Sequence, residues 1–406
     1  MILKRLCIIV CCSFSLSAGI ALASEADAIA ISKNIRERHM PFGVVVDPVF
    51  ASPDSDEIVS YTRCGDSAIW TGHYLAAEAF RYNVTPSADA LDNVKAALAG
   101  IASLLNVTGT NLLARCLVPV SSPHAPAIIQ EEFANGVYQN TQSGYYWIGN
   151  TSRDQYSGVF FGLGVAYDLV DDQDVRNKIA PLVTLLLDFL RGHNWFVTMP
   201  NGTISTTFVG RPDQQLSLLQ VGRHVNADRF STTYDLYRFL FAAQAIMPIS
   251  LEVLNDDSYF KFNLDSINLF NLIRLERSSF GGFYRNAYDV LWRHTDNHQN
   301  AFFNMIDRAL NGPIEARDNE TREILGQWLL RPRRDLPTDL RGKYPACGAE
   351  DRACAPIPIV ERPRTDFLWQ RSPFQLVGQG TARIESAGID YILPYWMARY
   401  YGIEHD

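Results

Sequence analysis

Two aspartates, Asp66 and Asp154, each open an apolar helical run, and both are placed where acid–base chemistry is possible. The first lies in Cys64-Gly65-Asp66-Ser67-Ala68-Ile69-Trp70-Thr71-Gly72-His73, the second in Thr151-Ser152-Arg153-Asp154-Gln155-Tyr156-Ser157-Gly158. An acidic side chain there faces the positive end of a helix dipole. It also suits plain capping of the first backbone N–H groups, which lack intrahelical acceptors. Brought together, two carboxyl groups can divide glycosidic bond cleavage, one protonating the leaving oxygen and the other acting as base or nucleophile. His73 follows Asp66 by two helical turns, hence on the same face. It could touch substrate there or sit satisfied in a core.

Other residues could hold a substrate beside that pair. Arg153 and Gln155 flank Asp154. The run Arg211-Pro212-Asp213-Gln214-Gln215, followed by Gln220, Arg223, His224 and Asn226, concentrates donors that grip sugar hydroxyls or uronate carboxylates. The alternative is a helix start with its glutamines in solvent. Arg362 to Arg371, with Asp366 and Trp369, mixes side chains as a substrate-cleft loop would; Arg–Asp pairs pinning down a long loop would look the same. Arg beside Tyr and His also leaves open a lyase that abstracts a proton from a uronate. His294 and His298 stand at i and i+4, a spacing that permits joint metal ligation on a helix. The His-Glu-x-x-His pattern is absent, and neither metal nor other cofactor is expected. No Gly-x-Ser-x-Gly elbow or Walker loop occurs.

Lys4 and Arg5, an apolar stretch to Leu22 and an Ala21-Leu22-Ala23 cleavage pattern predict a secretory leader over 1–23. No later run suggests a membrane span, so a secreted or periplasmic protein is expected. Lys and Arg number 36 against 44 Asp and Glu, a net charge of −8. That balance repels phosphate backbones and argues against a nucleic-acid partner. Four cysteines remain after the leader, an even number suited to an oxidising compartment. Cys347 and Cys354 flank a short polar loop and predict a local bridge; Cys64 with Cys116 is then the other pair.

The elements that must position these residues read as helices. After a lead-in over 24–58, where Pro41, Pro48 and Pro53 discourage long regular elements, a nearly all-apolar helix spans 66–82. The turn 83–87 and a Ser87 cap lead to a helix with one stripe, Leu91, Val94, Leu98, Ile101 and Leu105. A second hairpin repeats the contrast, with an apolar, Gly-rich 154–169 before a one-sided 174–190, in which Pro181 should kink or break the helix. Residues 194–199 read as extended, ending at a Pro200-Asn201-Gly202 turn. Further helical runs fall at 213–221, 231–247, 262–276, 299–310, 315–329 and 389–401. All-apolar inner helices alternating with one-sided outer ones predict an all-α protein, an (α/α) toroid over 59–406. A long Pro- and Arg-rich loop excursion, 332–388, precedes the last helix.

Gly65-Asp66-Ser67 with Thr71-Gly72, Val107-Thr108-Gly109 to Leu113-Ala114-Arg115, Thr151 to Gln155, and Asp390 to Tyr400 carry a resemblance. On these segments the chain resembles the six-hairpin (α/α) toroid glycosidase and polysaccharide-lyase superfamily, and within it a group of secreted bacterial proteins of largely unassigned function. The resemblance implies a complete or incomplete six-hairpin barrel, with acidic residues at inner-helix starts facing its mouth. It leads to an exported enzyme that hydrolyses a glycosidic bond. Asp66 and Asp154 would be the acid/base pair, with His73, Arg153, Gln155, Gln214, Gln215, Arg223 and Trp369 as carbohydrate contacts. The alternatives are a uronate polysaccharide lyase and a non-catalytic glycan-binding or structural toroid.

Overall fold

The computed structural model describes residues 23–255, 258–348, 352–363 and 366–404. The leader expected over 1–23 lies outside these except for Ala23, as do Arg364 and Thr365 of the Arg-rich loop. The described chain is mostly helical. In chain order the helices are α1 (Glu25–Asn34), α2 (Ser67–Val84), α3 (Ala88–Asn106), α4 (Ala125–Glu131), α5 (Arg153–Leu169), α6 (Gln173–Gly192) and α7 (Pro212–Val225). There follow α8 (Ala227–Phe241), α9 (Ile246–Asn255), α10 (Tyr259–Leu275), α11 (Gly281–Thr295), α12 (Ala301–Asn311), α13 (Glu315–Leu329) and α14 (Ile389–Tyr400).

Small antiparallel sheets, which an all-α reading does not include, are set between the helices. They are β1 (Asp47–Phe50) with β2 (Ile58–Thr62), and β3 (Cys116–Pro119) and β4 (Val137–Asn140) on either side of β5 (Tyr145–Ile148). Two more pairs are β6 (Phe196–Thr198) with β7 (Ile204–Thr207), and β8 (Thr338–Asp339) with β9 (Val377–Gly378). The β4–β5 hairpin is rich in Tyr, with Val, Trp and Ile beside it, and turns at Gly144, whose φ of 74° is open to glycine. Its last residue, Ile148, pairs with Cys116 and feeds the chain into α5.

Several local expectations change. The lead-in contains α1, which Ser24 caps by accepting from the Asp27 N–H at 3.2 Å, and which ends ahead of Pro41. Pro181 lies inside an unbroken α6. It sits on the exposed face, where the Asn177 carbonyl it frees meets water. The run expected over 231–247 is two helices, α8 and α9, separated by a 3-10 turn at Ala242–Gln244. By length and apolar composition Ala227–Leu254 passes as a membrane span, although that turn divides it. Helix α11 escapes the apolar pattern because only Tyr284, Ala287, Tyr288, Leu291 and Thr295 of its residues are buried.

Helix α2 is buried continuously from Ser67 to Arg81, and α5 from Asp154 to Ala166. Each large apolar side chain removed from water there contributes about 1.5–3 kcal/mol. Helices α2, α5, α7, α10, α12 and α14 each contact the next in that order, and α14 returns to α2. Helices α3, α6, α8, α11 and α13 each pack against one or more of these. The α2–α5 contact is backbone against backbone. A Cβ on Gly72 would lie 2.1 Å from the Gly158 carbonyl oxygen, and one on Gly162 would lie 2.2 Å from the Gly72 carbonyl oxygen. Only glycine permits that approach, and it holds the starts of α2 and α5 side by side.

The excursion before α14 folds back onto the helices. Trp369 is fully buried, with ring centroids 4.9 Å from Phe302, 5.3 Å from His73 and 6.2 Å from Trp70. Both disulfides form as expected, Cys64–Cys116 and Cys347–Cys354. Such bridges suit an oxidising compartment.

Candidate active site at the starts of α2, α5, α7 and α10

The Cys64–Cys116 bridge ties the segment before α2 to β3, and β3 pairs with the strand that leads into α5. Arg115 completes the tie. Its guanidinium donates to the Gly65 carbonyl (2.6 Å), the Asn150 carbonyl (2.9 Å) and Ser152 Oγ (2.7 Å), and lies 3.7 Å from Asp66. Asp66 and Asp154 are thus delivered to one place by a covalent bond, a strand pair and one arginine.

Neither aspartate caps its helix. Asp66 occupies the N-cap position of α2 without a side-chain capping bond; Asp154 lies inside the first turn of α5, after Ser152. The first N–H groups of α2 find other acceptors, Ala68 N–H donating to the Arg115 carbonyl at 2.9 Å and Ile69 N–H to Gln155 Oε1 at 3.0 Å. With its oxygen so used, the Gln155 amide turns its Nε2 to both carboxylates, at 3.2 Å from Asp154 Oδ2 and 3.4 Å from Asp66 Oδ1. The two oxygens share one donor and therefore lie no farther apart than the sum of those distances.

The environment acts unequally on Asp66. Burial of the carboxyl first, then the neighbouring charge of Asp154, push it up from an ordinary 3.8 to about 6, against the pull of Arg115. Asp366 and Glu132 add to the push. Glu132 is held close because it accepts from the Gly65 N–H at 2.7 Å. Asp66 keeps contact with solvent, 35 % of its side chain remaining accessible.

Asp154 borders a cavity of about 230 Å³ that Ser152, Arg153, Gln214, Phe260, Lys261 and Asp265 help to line. Arg153 donates to the Thr207 carbonyl at 3.1 Å; burial and the nearby Arg211 lower its guanidinium's hold on the proton. Arg211, at the start of α7, anchors Asp213 (2.7 Å), Asp265 (3.3 Å) and Glu252. A second cavity of about 440 Å³ adjoins the first and shares Arg211 and Glu252 with it.

Of the expected site residues, the structure brings together Asp66, Asp154, Gln155, Arg153 and Gln214. It sets others elsewhere. His73 is fully buried, with Nδ1 2.9 Å from the Ile69 carbonyl and Nε2 beside the Asn263 amide, and burial lowers it to about 4. Trp369 packs on that same core. Gln215 is buried on α7 and is not part of the cavity lining. Arg223 lies at the far end of α7, 4.5 Å over the Tyr234 ring and 3.6 Å from Asp235. In the Arg-rich loop, Asp366 pairs with Arg63 (3.2 Å) and Arg371, and Arg362 donates to the Ile357 and His298 carbonyls, so pairing prevails over cleft contact. His294 lies in the last turn of α11 and His298 beyond it, their ring centroids 5.8 Å apart, with His298 beside the Tyr259 hydroxyl. Among the described residues no group of three or more His, Cys, Asp or Glu converges as metal ligands.

Asp265, Glu252, Lys261 and Arg115 were not singled out as site residues. An ionisable residue in the middle of an apolar helical run, as Asp265 is in α10, was the available signal; a Ser-x-x-Lys spacing, not expected in the chain, does occur at Ser258 to Lys261 at the start of α10 and was another. No protein-family model matches the chain, and no curated protein matches it in sequence.

Proposed function

We propose that the protein is an exported carbohydrate-active enzyme that hydrolyses a glycosidic bond at the Asp66–Asp154 pair. In this reading the closed order α2, α5, α7, α10, α12, α14 is the inner ring of a six-hairpin (α/α) toroid, and the inner-helix starts form its mouth. The observation that carries the proposal is the shared Gln155 amide. It holds two carboxyl groups together, neither spent on capping, beside a cavity.

Asp66, with its raised proton affinity, is the proton donor to the leaving oxygen. Asp154 is the partner carboxylate. Inverting glycosidases separate the pair by roughly 6.5–9.5 Å and retaining ones by about 5–5.5 Å. A common donor at 3.2 and 3.4 Å keeps these oxygens at or inside the lower edge of the wider range. That favours attack by Asp154 on the anomeric carbon, with Asp66 changing from acid to base in the second step. Arg115 and Gln155 act as positioning residues. A cavity of about 230 Å³ is below the roughly 300–1,000 Å³ of drug-sized ligand pockets, so it suits a single sugar residue, the chain continuing into the adjoining cavity.

Purified protein incubated with neutral, amino and uronic polysaccharides tests the reading. New reducing ends without unsaturated uronate absorbance, abolished in Asp154→Asn, are expected. Unsaturated product would replace the hydrolase with a lyase. A silent panel would leave a glycan-binding or structural role.

A further inference from the structure

The cavity beside Asp154 and the one that adjoins it differ in chemistry. The first is ringed by charge, with Arg153, Asp154, Arg211, Glu252, Lys261 and Asp265 in its lining. The second, of about 440 Å³, is walled by Gly210, Pro212, Met247, Pro248 and Leu251. Arg211 and Glu252, which the two cavities share, are paired with each other. Gln244 is the remaining polar side chain of the second lining, and its amide donates to the Leu240 carbonyl at 3.2 Å. A further sugar there would set most of its hydroxyls against apolar side chains, at a cost for each one left without a partner. Among the described residues none that lines this cavity offers an aromatic ring to stack beneath it.

The apolar wall continues outward. Leu236, Phe239 and Leu240 on α8 and Met247, Leu251 and Leu254 on α9 recur at helical spacing, and all are between 49 % and 78 % exposed. A stripe at that spacing ordinarily faces a core. This one faces away from it: of an 18-residue stretch within Ala227–Leu254 apolar enough to cross a membrane, only 22 % is buried. Contiguous apolar surface left in water marks a binding site. Met247 and Leu251 belong to both the stripe and the second cavity, so the stripe runs into a cavity that borders the site of Asp154. A flat partner would cover the stripe without entering that cavity; a narrow chain attached to the sugar fills both.

We infer that the second cavity is a subsite for an alkyl or acyl chain, so that the glycan held beside Asp154 is an amphiphile, a sugar carrying a hydrocarbon tail. The inference rests on the glycan reading of the site. Polar head and apolar tail then fall on the two cavities in the order in which the substrate presents them, and the end of a long tail lies along the α8–α9 stripe. Each methylene moved from water onto such a wall favours binding by about fourfold when fully buried, and by about twofold when half buried.

Binding, rather than turnover, separates this inference from the hydrolase reading. The whole protein is titrated calorimetrically with methyl, hexyl, octyl and decyl glucosides, each below its micelle-forming concentration. Affinity is expected to rise at least about twofold with each added methylene. Met247→Glu sets a charge in the cavity wall at a position 59 % exposed, where folding accommodates it; it is expected to flatten the gradient, with circular dichroism reporting the fold. Should the variant not fold, the wild-type gradient decides alone. Affinity that ignores chain length, or a gradient that survives in folded Met247→Glu, overturns the subsite. Flat binding with a dimer that Met247→Glu dissociates in light scattering assigns the stripe to a second copy, and flat binding with retention on phosphatidylcholine vesicles assigns it to a bilayer; either overturns the tail. A chain-length gradient without cleavage of any glycan keeps the subsite and refutes the hydrolase, whereas cleavage with flat binding does the reverse.

Discussion

Replacing Asp66 with Asn removes a carboxyl that the fold holds under electrostatic stress, and stability should report it. Its rise from 3.8 to about 6 corresponds, at 1.36 kcal/mol per unit, to about 3 kcal/mol for a sealed group. With 35 % of the side chain accessible, solvent screening reduces this to about 1 kcal/mol. A carboxyl that binds its proton more tightly when folded makes the native state lose stability as pH rises from the unfolded value, near 4, through about 6. Below that window both states are protonated and the contribution vanishes. Urea unfolding of wild type and Asp66→Asn should therefore nearly coincide at the acid end. By neutral pH the variant should be the more stable by about 1 kcal/mol. On the proposed hydrolase reading activity should move oppositely: loss of the proposed proton donor costs about 10²–10⁴-fold in kcat, and wild-type turnover should decline as pH passes about 6. A variant less stable than wild type at neutral pH, or a difference that ignores pH, would show that Asp66 is not held raised by its surroundings.

Three further expectations follow from the same geometry. Gly72→Ala drives a methyl against the Gly158 carbonyl; overpacking of about 1–3 kcal/mol should appear as a lower urea midpoint, and an unchanged midpoint would contradict the backbone contact. Gln155→Leu leaves the Ile69 N–H and both carboxylates without their shared partner. It should cost about 1–3 kcal/mol in stability and lower kcat more than it raises KM, whereas a pure KM effect would make Gln155 a substrate contact. Replacing Cys64 and Cys116 with Ser opens a crosslink spanning 52 residues. A loss of about 2–5 kcal/mol in calorimetric unfolding is expected, and activity should fall with it, because the bridge also aligns the two aspartates.

A capping side chain is ordinarily spent on its own helix. Here the α2 start borrows Gln155 Oε1 and the Arg115 carbonyl instead, and that substitution leaves Asp66 available. The arrangement costs stability at Asp66 and supplies a carboxyl able to hold a proton near neutral pH, a trade expected where a site needs an acid.

Helix periodicity, the Ser87 cap, the apolar character of α2 and α5, the evenness of the cysteines beyond residue 23 and the two aspartates at helix starts were all legible in the amino-acid order. Each depends on neighbours a few residues apart, and local spacing records such relations directly. Tertiary structure alone decided what those residues meet. It joined Asp66 to Asp154 through an amide 89 positions away from the first. It buried His73 among aromatic rings supplied by α5, α12 and the late loop. It brought Arg211, Glu252 and Asp265 from separate helices onto one cavity wall. Side chains far apart in the chain come into contact only when helix packing is fixed. That packing is set by summed burial and by close approaches such as Gly72 on Gly158, which no local pattern encodes.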